Sequence, residues 1–460
     1  MAISRDQLKL PNLADFWELP PEQRASILLK SIEEVHSWHY LRNKAYRHTV
    51  EARGIEPDVT YADLSRLLRP TAQTFKSYID VLDTPFPQDR PRQFLEWIAD
   101  QLSVLLPRER FSRFRRRYPS LESFLKDFEL VFKDFGFEVS TSSGTSGRST
   151  IMVRDQAGLE TTARSFYLCF QRYFGMQIDH RAIFVMPKQT RITMARMVSF
   201  SFWRVGMPPD HAHFTIPFPA FPDQVRIRSG RTFREGWKGE IERRLWYPLM
   251  NRINDGFVMP NAIRASIRLL EKAEAAGEKL LLFGGWIQLH AIAQEIQSAR
   301  RSMRLAPGSL LGTGGGFKEI YSLTPDQIRS YVGNVIQLDD GRPAPLRDVY
   351  GMAEGNWAAM QCCQGNYHIP PWVYAITLDE DDQIQDGSDN TGLLAFFDPY
   401  GGGNLFPSFF KTTDRMRLIN GGKVYDSTLT CPCGDVGTYI SQGSIQRVDL
   451  LDEAGCAAQV

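Results

Sequence analysis

The sequence predicts an α/β protein in which a helical N-terminal region leads into a core of short apolar runs alternating with helices. Three observations carry that prediction. Apolar residues make up 43% and charged residues 23% of the 460, the mixture of a globular chain long enough for more than one core. From about Pro21 to Lys133 apolar residues recur three and four apart, the helical period. After Phe137, runs such as RAIFVMP, KLLLFGG and VIQLDD alternate with helical stretches such as WIQLHAIAQEIQSA, the pattern of a sheet flanked by helices. The expected division is residues 1–136 (helical region), 137–420 (α/β core) and 421–460 (short C-terminal segment).

Within the first region, EQRASILLKSIEEVHSWHYL, RQFLEWIADQLSVLL and LESFLKDFELVF read as amphipathic helices separated by proline-rich joints. The run LPRERFSRFRRRYPS, Leu106 to Ser120, interleaves Arg108, Arg110, Arg113, Arg115, Arg116 and Arg117 with Phe111, Phe114 and Tyr118. It reads as a solvated face whose aromatics enter the core, or as a surface for an acidic carrier or partner subunit. The net charge of +1 supplies no global field toward nucleic acid, so none is expected as a partner. The stretch from Pro208 to Gly236 is crowded with Pro, Phe and Arg and reads as an irregular insertion. The N-terminus has no signal-peptide core and no apolar window approaches 18 residues, so the expectation is a cytoplasmic protein without a membrane span. Of the six cysteines, all but Cys169 fall in roughly the last hundred residues, a clustering that suggests metal or thiol chemistry before disulfides.

The stretch FEVSTSSGTSGRST, residues 137–150, follows a short apolar run with ten Ser, Thr and Gly residues. Such a segment can wrap backbone N–H groups and hydroxyls around an anion, or serve as a plain flexible loop; its spacing is not that of the P-loop NTPases. Its residue order resembles the TSGTTGxPK signature of the adenylate-forming superfamily, which includes acyl-CoA ligases, luciferase and adenylation domains. Three more segments arrive in that family's order: LGTGGGFKE (Leu311–Glu319), DVYGMAEG (Asp348–Gly355) and FFKTTDRMRL (Phe409–Leu418). They look like its adenine segment, its YGxTE segment and its YxTGD segment. TGGGFK, the CPCG that follows, and the opening HSWHYLRNKAYRHTVEARGI resemble the branch of acyl-protein synthetases and phenylacetate-CoA ligases. The resemblance runs over roughly residues 25–450.

The resemblance implies a large adenylate-forming domain of mixed sheets flanked by helices. It makes Ser142, Ser143, Gly144, Thr145, Ser146 and Gly147 a phosphate cradle for ATP, with Tyr350 on the adenine and Gly315 and Gly316 lining its other side. Glu354 would hold Mg²⁺, and Asp414 would accept hydrogen bonds from the ribose hydroxyls. The sequence departs from the pattern where Ala353 replaces Thr, Ser149-Thr150 replace Pro-Lys, and Thr413 replaces Gly. Only 46 residues follow Asp414 (460 − 414), so the C-terminal lid of about a hundred residues is expected to be missing or vestigial. Lys318 or Arg447 is the candidate cation in place of the lid lysine, unless a partner supplies one.

Cys362 or Cys363 with His368, Cys431 and Cys433 offers the four N/S ligands of a structural Zn²⁺ site, which the branch resemblance supports. Cys456 stands four residues before the end (460 − 456), where the acyl-protein synthetases carry an acyl group on cysteine. Its alternative is a passenger thiol, and Asp452 and Glu453 beside it oppose thiolate formation. Trp286 and His290 are candidates for the wall of the acyl pocket, with core packing as the alternative for His290.

The function expected is therefore ATP-dependent activation of a fatty or aryl carboxylic acid as acyl-adenylate with release of pyrophosphate, followed by acyl transfer to a thiol. The acceptor is Cys456, a carrier protein, a partner enzyme or CoA. Two alternatives stay open: an acyl-CoA or amide-forming ligase, and a lid-less module that binds nucleotide or acyl ligand without turnover.

Overall fold

The structure, a computed structural model, describes residues 12–142, 149–204, 206–228, 236–315, 322–422 and 429–448. Contacts divide the chain into two compact units: one built from residues up to Ser165, Ala353–Trp357 and the chain from Asn366 onward, the other from Phe166–Met352 and Ala358–Gly365. The N-terminal helices and the C-terminal segment lie in the same unit.

In that first unit the predicted helices form at Pro21–Arg42, Pro91–Gln101 and Leu121–Val131. Pro21 and Pro91 sit in first turns, where the missing N–H costs no intrahelical bond. Ala25, Leu28, Ile32, Val35 and His36 line the buried face of the longest helix at three- and four-residue steps. Ser120 caps the third, accepting from the Ser123 N–H at 3.2 Å. The basic run forms only a short 3-10 helix, Arg108–Arg113. Arg110 there pairs with both oxygens of Asp134 at 2.6 and 3.0 Å, and Phe114 and Tyr118 pack on Phe124.

The sheet of this unit is antiparallel in the order Tyr374–Leu378, Asp389–Asp398, Ser408–Ile419, Tyr439–Ile440, Tyr367–His368. Gln446–Arg447 and Arg69–Pro70 pair with further stretches of Ser408–Ile419. A separate hairpin joins Glu138–Thr141 to Ile151–Arg154, with Thr141 opposite Ile151. The turn between the two longest strands threads Gly401, Gly402 and Gly403 through a tight crossing. A Cβ on Gly402 would stand 1.9 Å from the Phe406 carbonyl oxygen, and one on Gly403 would stand 2.0 Å from Asp155 Oδ1.

The second unit holds a parallel sheet in the order Ala212–Ile216, Arg181–Pro187, Leu280–Phe283, Leu310–Gly314, Leu346–Gly351, closed by the antiparallel Ala358–Gln361. Leu280–Phe283 is buried along its whole length, as strands covered on both faces are. Helices Met259–Ala276, Trp286–Ser298 and Pro325–Val335 bury Leu270, Leu289 and Val332 against Ile183, Leu282 and Leu311 in one apolar cluster. Gly312 is required where the ring of Phe283 would come within 2.5 Å of an added Cβ. The strand Ala212–Ile216 corrects the expectation of an irregular insertion over Pro208–Gly236. Phe214 stacks on Phe184 of the neighbouring strand, and the prolines at 208, 209, 217 and 219 bound the strand rather than break it. Among the described residues no helix is long and apolar enough to cross a membrane.

Candidate functional site

The Ser/Thr/Gly stretch is the connection of the hairpin Glu138–Thr141/Ile151–Arg154, and its ends are tied together. The Ser142 N–H donates to the Thr150 carbonyl at 3.1 Å, and the Thr150 N–H donates to Ser142 Oγ at 2.9 Å. Ser143, Gly144, Thr145, Ser146 and Gly147 lie outside the described residues, as do Gly316, Lys318 and Cys456. At the downstream end the buried Thr150 hydroxyl donates to Glu354 Oε1 at 2.7 Å. Four residues along the same extended segment, and so on the same face, Arg154 donates from Nη2 to the Ala353 carbonyl and from Nε to Ser140 Oγ, both at 2.9 Å. The first signature and the acidic signature are thus joined by a buried hydrogen bond to a carboxylate, an interaction of about 1.5–3 kcal/mol. A carboxylate has two oxygens and about four lone-pair sites, so the bond from Thr150 leaves Glu354 with capacity for a hard cation.

Asp414 lies in a β-bulge: Leu393 pairs with Arg415 and Ala395 with Lys411, so Thr412, Thr413 and Asp414 together oppose Leu394. A bulge re-aims the side chains beside it, and here the Asp414 N–H donates to Thr412 Oγ1 at 3.1 Å. Thr413, where the resembled signature has glycine, is not among the residues with positive φ, so threonine fits without backbone strain. Across the ladder Arg447 pairs with Asp414, and its Nε stands 3.9 Å from Asp414 Oδ1. In the second unit Val349 pairs with Gly314, which sets Tyr350 level with Gly315 at the ends of adjacent parallel strands. Gly315 has φ +88, a conformation that favours glycine.

A third constellation forms around the CPCG turn. The Gly434 N–H donates to the Cys431 carbonyl at 2.7 Å, the Cys431 N–H donates to the Asp435 carbonyl at 2.7 Å, and Gly434 takes φ +94 to close the turn. His368, fully buried on the strand paired with Tyr439–Ile440, brings Nε2 to 3.4 Å from Cys433 Sγ. Within the first unit, one ligand atom each from His368, Cys431 and Cys433 lies within 4.8 Å of the others. A tetrahedral zinc with Zn–S bonds of about 2.3 Å has edges just under 4 Å, so a small contraction would close this set around an ion. N–H groups already point at two of the sulfurs, Asn366 Nδ2 at Cys431 Sγ (3.3 Å) and the Gln364 N–H at Cys362 Sγ (3.4 Å), as donors around a metal thiolate do. Of the two adjacent cysteines Cys362 is buried and Cys363 exposed.

Trp286 and His290 are both buried on the helix Trp286–Ser298. Trp286 belongs to the apolar cluster with the Arg329 guanidinium over its ring, and the His290 ring meets Tyr331 at 4.8 Å. Burial pushes the His290 pKa below its ordinary value. The structure thus places this pair in a packed helix–helix contact. Sequence reasoning missed Thr150 and Arg154; their four-residue spacing after the Ser/Thr/Gly stretch was the available signal.

No curated protein matches the chain in sequence. Residues 258–460 match the family model described as acyl-protein synthetase, LuxE. Among solved structures the chain is similar to an open conformation of 2-hydroxyisobutyryl-CoA ligase in complex with 2-HIB-AMP and CoA. The identity is 14%, the TM-score 0.57, and the match covers 95% of this chain and 77% of that one. The same ligase in its thioesterification state matches at 14% identity and TM-score 0.52, covering 94% and 70%. In its postadenylation state with 2-HIB-AMP the values are 13%, 0.51, 94% and 69%. The resemblance read from the motifs is borne out by the fold over nearly the whole chain and by the family match over its C-terminal part.

Proposed function

We propose that this chain is an acyl-adenylate-forming ligase of the acyl-protein synthetase kind. It joins a fatty or aryl carboxylic acid to AMP and passes the acyl group to a thiol in the cytoplasm. The observation that carries the reading is the bond from Thr150 to Glu354. It fastens the end of the hairpin assigned to the phosphates to the acidic residue of DVYGMAEG, in a fold similar to that of ligases solved with an acyl-AMP.

In the first step a carboxylate oxygen attacks the α-phosphorus of ATP, the bond from that phosphorus to the bridging oxygen breaks, and pyrophosphate leaves with the electron pair. The chain's work is alignment and charge cancellation. Ser142 through Gly147 receive the phosphates on N–H and hydroxyl donors, Tyr350 and Gly315 flank the base, and Asp414 accepts from the ribose hydroxyls. Arg447, beside Asp414, supports the carboxylate that orients the ribose and supplies positive charge near the nucleotide. Glu354 would hold Mg²⁺, which would neutralise phosphate charge when bound, and the Thr150 hydroxyl fixes Oε1 of that carboxylate. In the second step a thiolate attacks the acyl carbon, the acyl–oxygen bond breaks and AMP departs.

Cys456 is the first candidate acceptor, because it stands nine positions (456 − 447) beyond Arg447, a chain length of up to roughly 30 Å. Zn²⁺ held by Cys362, His368, Cys431 and Cys433 would be structural, since a closed four-ligand shell leaves no position for substrate. The test has two parts. Carboxylate-dependent ATP–pyrophosphate exchange is expected, and its absence would return the chain to a binding module without turnover. Labelled acid is expected to stay on denatured wild type and to be lost in Cys456→Ser; label that passes instead to CoA or an amine would favour the alternative ligase.

A further inference from the structure

From Gly236 to Ala276 the chain runs as one continuous helix, in which π-turns at Glu242–Trp246 and Asn254–Val258 interrupt the α-helical segments. Each π-turn is followed two residues later by a proline, Pro248 or Pro260. A proline inside a helix lacks the N–H and crowds the carbonyl one turn back, and a wider local turn relieves that crowding.

The widened turns have a consequence for the helix surface. Trp237, Ile241, Leu245, Leu249, Ile253 and Phe257 stand four apart, and all are exposed, from 41% at Ile241 to 70% at Trp237. In a regular α-helix a four-residue step drifts by about 40°, which would wind these side chains around the cylinder. A π-turn closes with i→i+5 bonds, so two of them pull the average period toward four and hold the side chains on one face. The inward side of the same stretch carries Gly239, Glu242 and Asn254, all buried. An exposed apolar stripe of six residues, rimmed by exposed Arg243, Arg244 and Arg252 and backed by buried Glu242 and Asn254, marks an interaction face.

We propose that this face is covered by the same face of a second copy of this chain, in an antiparallel helix pair about a twofold axis at Tyr247. Two observations select that occupant. The order along the stripe is aromatic, Ile, Leu, Leu, Ile, aromatic, and so reads the same in both directions about residue 247. A twofold contact requires that kind of self-complementarity, residue i meeting j while j meets i. It sets Trp237 on the partner copy's Phe257, Ile241 on Ile253 and Leu245 on Leu249, with the 51%-exposed Trp246 over Pro248. The exposed surface of these apolar side chains amounts to roughly 750 Å², close to the ≈ 800 Å² that each partner contributes to a stable interface.

The test is the mass of the full chain by analytical ultracentrifugation at micromolar concentration. Wild type is expected at twice the chain mass. Leu245→Glu with Leu249→Glu is expected to be monomeric, its dimerisation weakened at least a hundredfold, with the far-UV circular dichroism of wild type because both positions face solvent in the single copy. Register is read with charge pairs: Ile241→Glu alone separates the copies, adding Ile253→Lys restores them, and adding Leu245→Lys instead does not. A monomeric wild type overturns the proposal, including one that sediments with phospholipid vesicles. So does a dimer that survives the double glutamate, or a rescue by Ile253→Lys no better than that by Leu245→Lys.

Discussion

Thr150 stands where the resembled signature carries lysine, and a reading by motif alone counts it as a loss. In the folded chain its hydroxyl is the hydrogen-bond partner of Glu354 Oε1. Thr150→Val keeps the shape and removes the donor. With about 1.5–3 kcal/mol attached to a bond to a charged acceptor, pyrophosphate exchange should fall by one to two orders of magnitude and the Mg²⁺ requirement should rise. Thr150→Ser should stay within a few-fold of wild type. Equal losses in both variants would show that the hydroxyl does not position Glu354. Another buried group reports on stability. His36 bonds to the Tyr46 hydroxyl and the Glu56 carbonyl, both at 2.8 Å. Burial pushes its imidazole below the ordinary 6.5, against the opposing pull of that carbonyl and of Asp58 and Asp63. A depressed folded value means that the unfolded chain takes up the proton first. The contribution is therefore whole above about pH 6.5 and is lost as pH falls from there toward the folded value. The melting temperature should drop over that interval, and less steeply in His36→Gln. A parallel slope in the variant would remove His36 as a cause.

Elements show where reading by pattern works and where it stops. The helices at Pro21–Arg42, Pro91–Gln101 and Leu121–Val131 and the strands Arg181–Pro187 and Leu280–Phe283 are legible because burial imposes period 3.6 or a continuous apolar run on their residues. Ala212–Ile216 was hidden by flanking prolines. The Arg154–Ala353 bond was hidden for another reason: no local pattern tells which backbone carbonyl lies some 200 positions along the chain. Tertiary packing also sets the run PYGGGN, residues 399–404. Gly402→Ala would press a methyl group onto the Phe406 carbonyl, and overpacking of this kind costs about 1–3 kcal/mol or more. A clear fall in the urea midpoint is expected, and an unchanged midpoint would mean the turn can open. The cysteine cluster makes its own prediction at this scale. Purified protein should carry about one zinc per chain, and Cys433→Ser should lose it together with several degrees of melting temperature. Metal content near zero in carefully handled wild type would leave CPCG as a turn only.

For the whole molecule the question is whether the chain turns over or merely binds. Both outcomes share the fold, and a chain that only holds nucleotide would still be stabilised by it, so stabilisation and turnover must be measured on the same protein. A non-hydrolysable acyl-adenylate analogue at about 100 times its dissociation constant should add about 2.7 kcal/mol to the unit that binds it. For cooperative units of this size that corresponds to a rise in melting temperature of roughly 5–10 °C. Asp414→Ala should abolish most of that rise, because in the proposed reading Asp414 binds the ribose. Thr150→Val should keep it nearly whole while losing exchange, because its hydroxyl bonds to Glu354, the residue that the proposed reading gives to the phosphate chemistry. A ligase predicts that split between the variants. A passive module predicts stabilisation by the analogue with no exchange in wild type, and a chain that the analogue leaves unmoved is neither.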